Sequence, residues 1–357
     1  MAQTDPAGDR AGAPETALNR TSVNAGSRGA PLASQVRVGL APGTIFADRY
    51  RIRALLGQGG MGSVYRAEHL GLGRDVALKV IGKLSHDLEL RFEREAMAIA
   101  RLDHPGCVRV LDYGEDERGL QFLAMELVDG PTLHTAMSGD VLSVPRAMHV
   151  AKSVLSALAH AHANGVVHRD VKPENIMFCT RSGFRVVLID FGLASLRDAP
   201  SLTGSGIAMG SPSYIAPERL LGQPHDARSD LYAVGVVLYE MIAGIRPYLG
   251  STPQEIMANV MARPPRPLRA LVPDVSPALD AVIRRALHKD PARRFADADE
   301  MRSALADVEA FDAAIAEPVR AEPGASMTFA QLAIYRPSLW QRMWSRIRYG
   351  RWRWRTD

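Results

Sequence analysis

The sequence predicts an α+β protein in which a small β-rich part precedes a larger helical part. Two patterns carry this prediction. Between about residues 48 and 128, short strand-like runs alternate with glycine-containing turns and one helical stretch. After Asp129–Gly130 the pattern turns mostly helical. Size supports it too: 357 residues with 46% hydrophobic content can bury a sizeable core.

The elements follow in order. Residues 1–44 are rich in Ala, Gly, Ser, Thr and Pro without periodicity, and are expected to form a disordered tail, with docking or phosphorylation as its functional alternative. RYRIRALLGQGGMGSVYRAEH predicts two strands around a Gly-rich turn, and RDVALKVI a third. In HDLELRFEREAMAIARL, Leu88, Phe92, Ala96 and Ile99 recur at three- and four-residue steps, so this stretch is a helix. CVRVLDYGEDERGLQFLAMELV reads as a hairpin turning near Glu117–Gly119. PRAMHVAKSVLSALAHAHANG is a long helix with Gly165 just past its end. NIMFC and RVVLID form a short strand pair, and helices fill 230–312.

Composition excludes several classes. Cys107 and Cys179 cannot make a disulfide framework and read as free thiols. MAQTDPAGDRAGAPETALNR lacks the apolar core of a signal peptide. No apolar run reaches the 18 or more residues of a membrane span; LYAVGVVLYEMIAG is too short, carries Glu240 and reads as a buried helix. A net charge of +4 is too small to imply a nucleic-acid protein by itself. The expected location is cytoplasmic, with a peripheral place at the inner face of the membrane.

The chemistry concentrates in HRDVKPEN at 168–175 and DFG at 190–192, the latter beginning fifteen residues after Asn175. These runs put Asp170, Asn175 and Asp190 on neighbouring loops. Phosphoryl transfer needs a carboxylate beside the acceptor hydroxyl and oxygen ligands for the metal ions that neutralise the phosphates. One Asp suits the first task, and an Asp with an Asn suits the second. Upstream, Gly57, Gly59 and Gly62 let backbone amides approach phosphates without Cβ clashes. A Rossmann fingerprint needs a helix straight after the glycines, whereas SVYRAEH looks like a strand. A P-loop needs Lys and Ser/Thr after the last glycine, and Gly62 is followed by Ser63–Val64.

With GQGGMGSV at 57–64, VALKV at 76–80, Glu95, APE at 216–218, SDLYAVGVVLYEM at 229–241 and DPARRF at 290–295 all in order, the chain resembles the eukaryotic-like (Hanks-type) serine/threonine protein kinases of bacteria over about 48–312. The resemblance implies the bilobal protein-kinase fold, with an N-lobe at about 48–128, a C-lobe at about 129–312, a linker at 313–336 and a C-terminal tail at 337–357. It implies ATP and Mg²⁺ as cofactors, with Mn²⁺ as the alternative metal. Gly57, Gly59, Gly60, Gly62, Val64, Ala77, Lys79, Met125, Glu126, Val128 and Met177 would surround ATP. Met125 stands at the gatekeeper position, and backbone groups of Glu126 and Val128 would meet adenine. Lys79 would contact the α- and β-phosphates and pair with Glu95, for which Glu93 is the rival.

Asp170 would orient the acceptor hydroxyl and take its proton late, Lys172 would sit near the γ-phosphate, and Asn175 and Asp190 would hold the metal. Lys172 argues for serine and threonine acceptors over tyrosine. Arg169 would grip a phosphate on Thr203 or Ser205 of the activation loop. Ser211 stands where threonine is usual and keeps the hydroxyl that helps hold Asp170 and Lys172. Glu218 and Arg294 resemble a buried ion pair, and Asp230 the residue holding the catalytic loop's backbone. The implied activity is transfer of the γ-phosphoryl group to protein substrates, including the chain's own activation loop, with a kinase dimer as a further assembly. A catalytically idle scaffold is the alternative; it would normally lack Lys79, Asp170 or Asp190, and all are present. A small-molecule kinase is disfavoured by the intact APE segment and long activation loop.

SLWQRMWSRIRYGRWRWRTD at 338–357 contains every tryptophan of the chain: Trp340, Trp344, Trp352 and Trp354. At helical spacing Leu339, Trp340, Met343, Trp344 and Ile347 share a face. An anionic membrane surface is the first reading, docking on the kinase lobe the second and nucleic acid the third.

Overall fold

The computed structural model describes residues 39–59, 62–138, 141–180, 184–191, 212–224 and 226–315. Strands β1 (Ile45–Phe46), β2 (Tyr50–Gly59), β3 (Gly62–His69), β4 (Arg74–Val80), β5 (Val110–Glu115) and β6 (Gln121–Glu126) form one antiparallel sheet in the order β1-β2-β3-β4-β6-β5. Helix α1 (His86–Ala100) connects β4 to β5 and buries Phe92, Ala96 and Ile99. Period-two alternation sends Val76, Leu78 and Val80 to one face of the sheet. There they close a core with Tyr50, Ile52, Tyr65 and Phe122. The opposite face carries the functional side chains.

The small lobe begins earlier than the boundary at residue 48 read from the sequence. Phe46 is fully buried and meets the Phe122 ring edge-on at 5.6 Å. The N–H of Leu40 donates to the Tyr65 hydroxyl at 3.1 Å. Two isolated apolar residues make no periodicity, so composition placed Leu40 in the tail of residues 1–44 and left Phe46 ahead of the boundary at 48.

The helical part contains α2 (Leu133–Ala136), α3 (Val144–Ala163), α4 (Pro217–Leu220), α5 (Arg228–Ala243), α6 (Pro253–Ala262), α7 (Pro277–Ala286) and α8 (Ala298–Ile315), with a hairpin of β7 (Ile176–Cys179) and β8 (Arg185–Leu188). Helix α5 is buried on nearly all sides, as an all-round apolar helix must be. Among the described residues no helix is long and apolar enough to cross a membrane. Both cysteines are buried and neither forms a disulfide, and burial pushes the Cys107 thiol up to about 12. The two parts of the chain are stitched beside the hairpin: Val108 N–H donates to Leu188 O at 3.0 Å, and Leu188 N–H to Gly106 O at 2.8 Å.

Candidate active site

Cross-strand partners share a face of a sheet. Val64 stands opposite Lys79, Lys79 opposite Leu123, and Ala77 opposite Met125. These residues therefore form one surface on the inner side of the small sheet. Met177, half-buried on β7, belongs to the other part of the chain and is bridged to Thr132. Gly57 pairs with Val64, and Gly59 with Gly62, where β2 turns back into β3. Among the described glycines of this turn, only Gly62 is required sterically by the protein itself: its φ is +132°, and a Cβ there would stand 2.0 Å from Val80 O. Gly57 and Gly59 have open space instead. Gly60 lies outside the described residues. The Glu126 N–H donates to Arg109 O at 2.9 Å and is unavailable to a ligand. Val128, with no backbone partner among the described residues, is the freer of the two hinge groups.

The catalytic and metal loops are bolted together through one residue. Ile189 N–H donates to Asn175 O at 2.9 Å, and His168 Nε2 donates to Ile189 O at 2.9 Å. His168 Nδ1 in turn accepts the Asp170 N–H at 3.2 Å. These bonds define a neutral imidazole, and burial, opposed by nearby carboxylates, keeps the His168 pKa below its ordinary value. Its ring packs on Phe191 with centroids 4.7 Å apart. Asp230 accepts the N–H of His168 at 2.9 Å and of Arg169 at 2.8 Å, and His162 Nε2 donates to it at 2.8 Å. Burial alone would raise the Asp230 pKa; the His162 hydrogen bond and the surrounding donors carry it below its ordinary value. His162 escaped the sequence reading because nothing local separates it from His160, its neighbour two positions back on α3.

The structure brings Asp170, Lys172 and Asn175 together. Lys172 Nζ donates to Asp170 Oδ2 at 2.6 Å, and Asn175 Nδ2 to the same oxygen at 3.0 Å and to Asp170 O at 2.8 Å. With its NH₂ group occupied, Asn175 keeps its oxygen for a ligand. Asp190 follows Ile189 directly. Burial would raise its pKa, but the Lys79 charge and hydrogen bond hold it below the ordinary value, so it is a ready anionic ligand. Arg169 and Asp190 both adopt left-handed backbone, with φ of 67° and 62°. Strained non-glycine residues of this kind cluster at functional sites.

One expectation is corrected. Lys79 does not pair with Glu95. Its Nζ lies 2.9 Å from Asp190 Oδ1, while Glu95 Oε1 accepts from Arg169 Nη1 at 3.3 Å. Lys79 is almost fully buried and needs a carboxylate; Asp190 supplies it from the adjacent loop. Glu95, half-buried on the inward side of α1, is drawn instead to the guanidinium beside the catalytic loop. Glu93 is exposed and takes no part. Thr203, Ser205, Ser211 and the tryptophan-rich tail lie outside the described residues.

Behind the site, Arg294 and Glu218 form a fully buried, bidentate pair at 2.8 and 2.7 Å. Ser229 Oγ also donates to Glu218 at 2.7 Å, and the remaining Arg294 donors reach the carbonyls of His288, Arg228 and Lys289. All five guanidinium N–H groups are thus satisfied. Sequence reasoning also passed over Arg219, whose guanidinium donates to Arg169 O, and Tyr214, whose hydroxyl donates to Glu240.

The profile of the protein kinase domain matches residues 50–306. Serine/threonine-protein kinase pkn3 of Myxococcus xanthus is 42% identical over 279 residues, which cover 75% of this chain and 51% of that protein. Serine/threonine-protein kinase PknJ of Mycobacterium tuberculosis is 41% identical over 274 residues, 75% of this chain and 46% of its own. PknB of Mycolicibacterium smegmatis is 41% identical over 268 residues, 72% of this chain and 43% of its own. The chain therefore spans about half the length of the curated relatives it matches.

Proposed function

This chain belongs to the protein kinase family, and on that premise we propose that it transfers the γ-phosphoryl group of ATP to serine and threonine hydroxyls of proteins. The observation that supports this most is the Ile189 clamp, which ties Asp190 to Asn175 and, through His168, to Asp170. Asp170 lies beside the acceptor hydroxyl and receives its proton as the new P–O bond forms and the bond to the ADP oxygen breaks. Lys172, on Asp170 Oδ2, offsets charge on the transferred group and favours serine and threonine acceptors. Lys79 reaches the α- and β-phosphates, with Val64, Ala77, Met125, Val128 and Met177 around the adenine and the glycine turn over the phosphates.

Asn175 and Asp190 fit a hard divalent cation, because an amide oxygen and an ionised carboxylate leave room for phosphate and water ligands. Mg²⁺ is the preferred ion and Mn²⁺ the alternative; when bound, it neutralises phosphate charge. Autophosphorylation on Thr203 or Ser205, in one chain or between two in a dimer, is the proposed activating event, with Arg169 as receiver and Ser211 as a support for Asp170. The kinase domain is placed at about 48–312, with the stretch from Leu40 joined to it, and the tail at 337–357 at an anionic membrane surface. Incubating the purified chain with labelled ATP, a divalent metal and a generic protein substrate tests the activity. Absence of labelled phosphoserine and phosphothreonine under all metals tried would defeat the reading.

A further inference from the structure

An open cleft of about 660 Å³ lies between α6, the segment 245–252 before it and the segment 263–266 after it. It lies apart from the nucleotide-facing sheet. Its apolar lining includes Tyr239 and Tyr248, both almost fully buried. Its polar lining is unbalanced, with Arg246, Arg263 and Arg266 against a single carboxylate, Glu255. That carboxylate is engaged at the start of α6, where Glu255 Oε2 accepts the Ser251 N–H at 2.7 Å and its own N–H reaches Thr252 Oγ1 at 3.1 Å.

Arg263 and Arg266 are exposed, and no carboxylate stands within 4.0 Å of either among the described residues. They sit in the run RPPRP at 263–267, whose prolines fix the backbone and reduce the entropy lost when a partner binds. Another cation lies behind the cleft. Lys289 Nζ donates to the Tyr248 hydroxyl at 2.7 Å and to Val260 O, and has no carboxylate partner among the described residues. Burial and nearby Arg294 draw its pKa down to about 8, the behaviour of a cation that lacks an anion.

The cleft also communicates with the catalytic face. Arg246 donates to Ser213 Oγ at 3.1 Å and lies 4.0 Å from Glu240, which accepts from Tyr214. Tyr214 and Asp170 line one and the same small hollow. A chain leaving Asp170 past Tyr214 would reach Arg246 and then the cleft.

We propose that this cleft docks an Asp/Glu-rich segment of the protein substrate, at a distance from the phosphorylated residue, through Arg263, Arg266 and Arg246. The proposal rests on the kinase reading for what the docked chain is used for. The binding itself is separable from it.

The test uses the full chain and a fluorescent acidic peptide, read by anisotropy without ATP, beside a neutral peptide of equal length. Wild type should bind the acidic peptide selectively, and Arg263→Glu with Arg266→Glu should weaken it about ten-fold or more. Both residues are exposed, and Arg263→Gln with Arg266→Gln gives a milder version to be checked by circular dichroism. With ATP, a serine peptide bearing an acidic extension should show a lower KM than one with a neutral extension. The double variant should erase that difference and leave kcat on the neutral peptide unchanged. Equal anisotropy for the two peptides, or unchanged binding in the variants, would overturn the proposal. So would displacement by inorganic phosphate as effective as by unlabelled peptide, which would assign the cleft to small anions. If no phosphoryl transfer is found, the anisotropy arm still decides the docking; if docking fails, transfer to the neutral peptide still decides the activity.

Discussion

Arg169 holds Glu95 by a hydrogen bond of 3.3 Å, and in that arrangement Lys79 pairs with Asp190 instead. Arg169 also keeps its Nε buried without an acceptor among the described residues. A phosphate near Arg169 would offer a stronger, bidentate partner than the single contact to Glu95. Phosphorylation at Thr203 or Ser205 is therefore expected to release Glu95 toward Lys79 and raise the rate. Phosphatase-treated wild type should be about ten-fold or more slower than the autophosphorylated form. Arg169→Ala should lose that difference, and Thr203→Ala with Ser205→Ala should stay slow. An active enzyme carrying neither phosphate, seen by mass spectrometry, would refute this.

Asp170→Asn keeps the hydrogen-bonding shape around Lys172 and Asn175 but removes the proton acceptor. Lys79→Met removes the buried cation, and Asp190→Ala removes the anionic ligand. Each should lower transfer by about a hundred-fold or more while the chain remains folded. Rates with labelled ATP, alongside thermal melts, check both halves of the statement. Turnover like wild type in Asp170→Asn would sink the mechanism.

Acid should loosen the large lobe. Glu218 is buried, and although burial pushes its pKa up, the hydrogen bonds from Arg294 and Ser229 hold it below its ordinary value of 4.5. The unfolded chain then takes up a proton before the native one does as pH falls. The stabilisation is full above 4.5 and is lost as pH drops through the lower native value. Asp190 and Asp230 act in the same direction. Urea midpoints should fall between neutral pH and pH about 3, and less steeply in Glu218→Gln. Glu218→Ala, which strands Arg294, should cost about 3–5 kcal/mol at neutral pH.

Gly62→Ala should destabilise the small lobe, because its Cβ would collide with Val80 O on the neighbouring strand and its φ of +132° suits glycine. Gly57→Ala meets nothing within 4 Å and should fold normally, with any defect confined to ATP binding. Melting curves and nucleotide titrations on both variants separate the two effects. Equal stability of Gly62→Ala and wild type would contradict the steric account.

The tail carries its own expectation. Arg342, Arg346, Arg348, Arg351, Arg353 and Arg355 accompany the apolar set Leu339, Trp340, Met343, Trp344 and Ile347. Each arginine near an anionic surface contributes about 1 kcal/mol, and tryptophan favours the headgroup region. Salt-sensitive co-sedimentation with anionic liposomes should disappear on truncation after Pro337. No binding at low salt would remove the membrane reading.

The catalytic and metal loops were legible because their chemistry demands particular side chains at fixed spacing. The helices of the large lobe were legible from periodicity. Sheet order was less so: β6 lies between β4 and β5, and no local pattern states which strand becomes the neighbour. The partner of Lys79 was not legible either. It depends on competition among Asp190, Glu95 and Arg169, which meet only when distant segments pack. His162 behind Asp230 and Arg219 behind Arg169 are equally silent in sequence, since their hydrogen bonds to these residues span 68 and 50 positions of the chain.

The left-handed backbone of Arg169 sets stability against use. At Arg169 glycine would relieve about 1 kcal/mol or more of conformational penalty while deleting a side chain the chemistry needs. At Asp190 the same relief would be outweighed by leaving buried Lys79 without its carboxylate. A screen that rewards heat resistance alone would thus favour a sturdier, inert molecule. Engineering for robustness should leave these two sites untouched and seek its gains elsewhere.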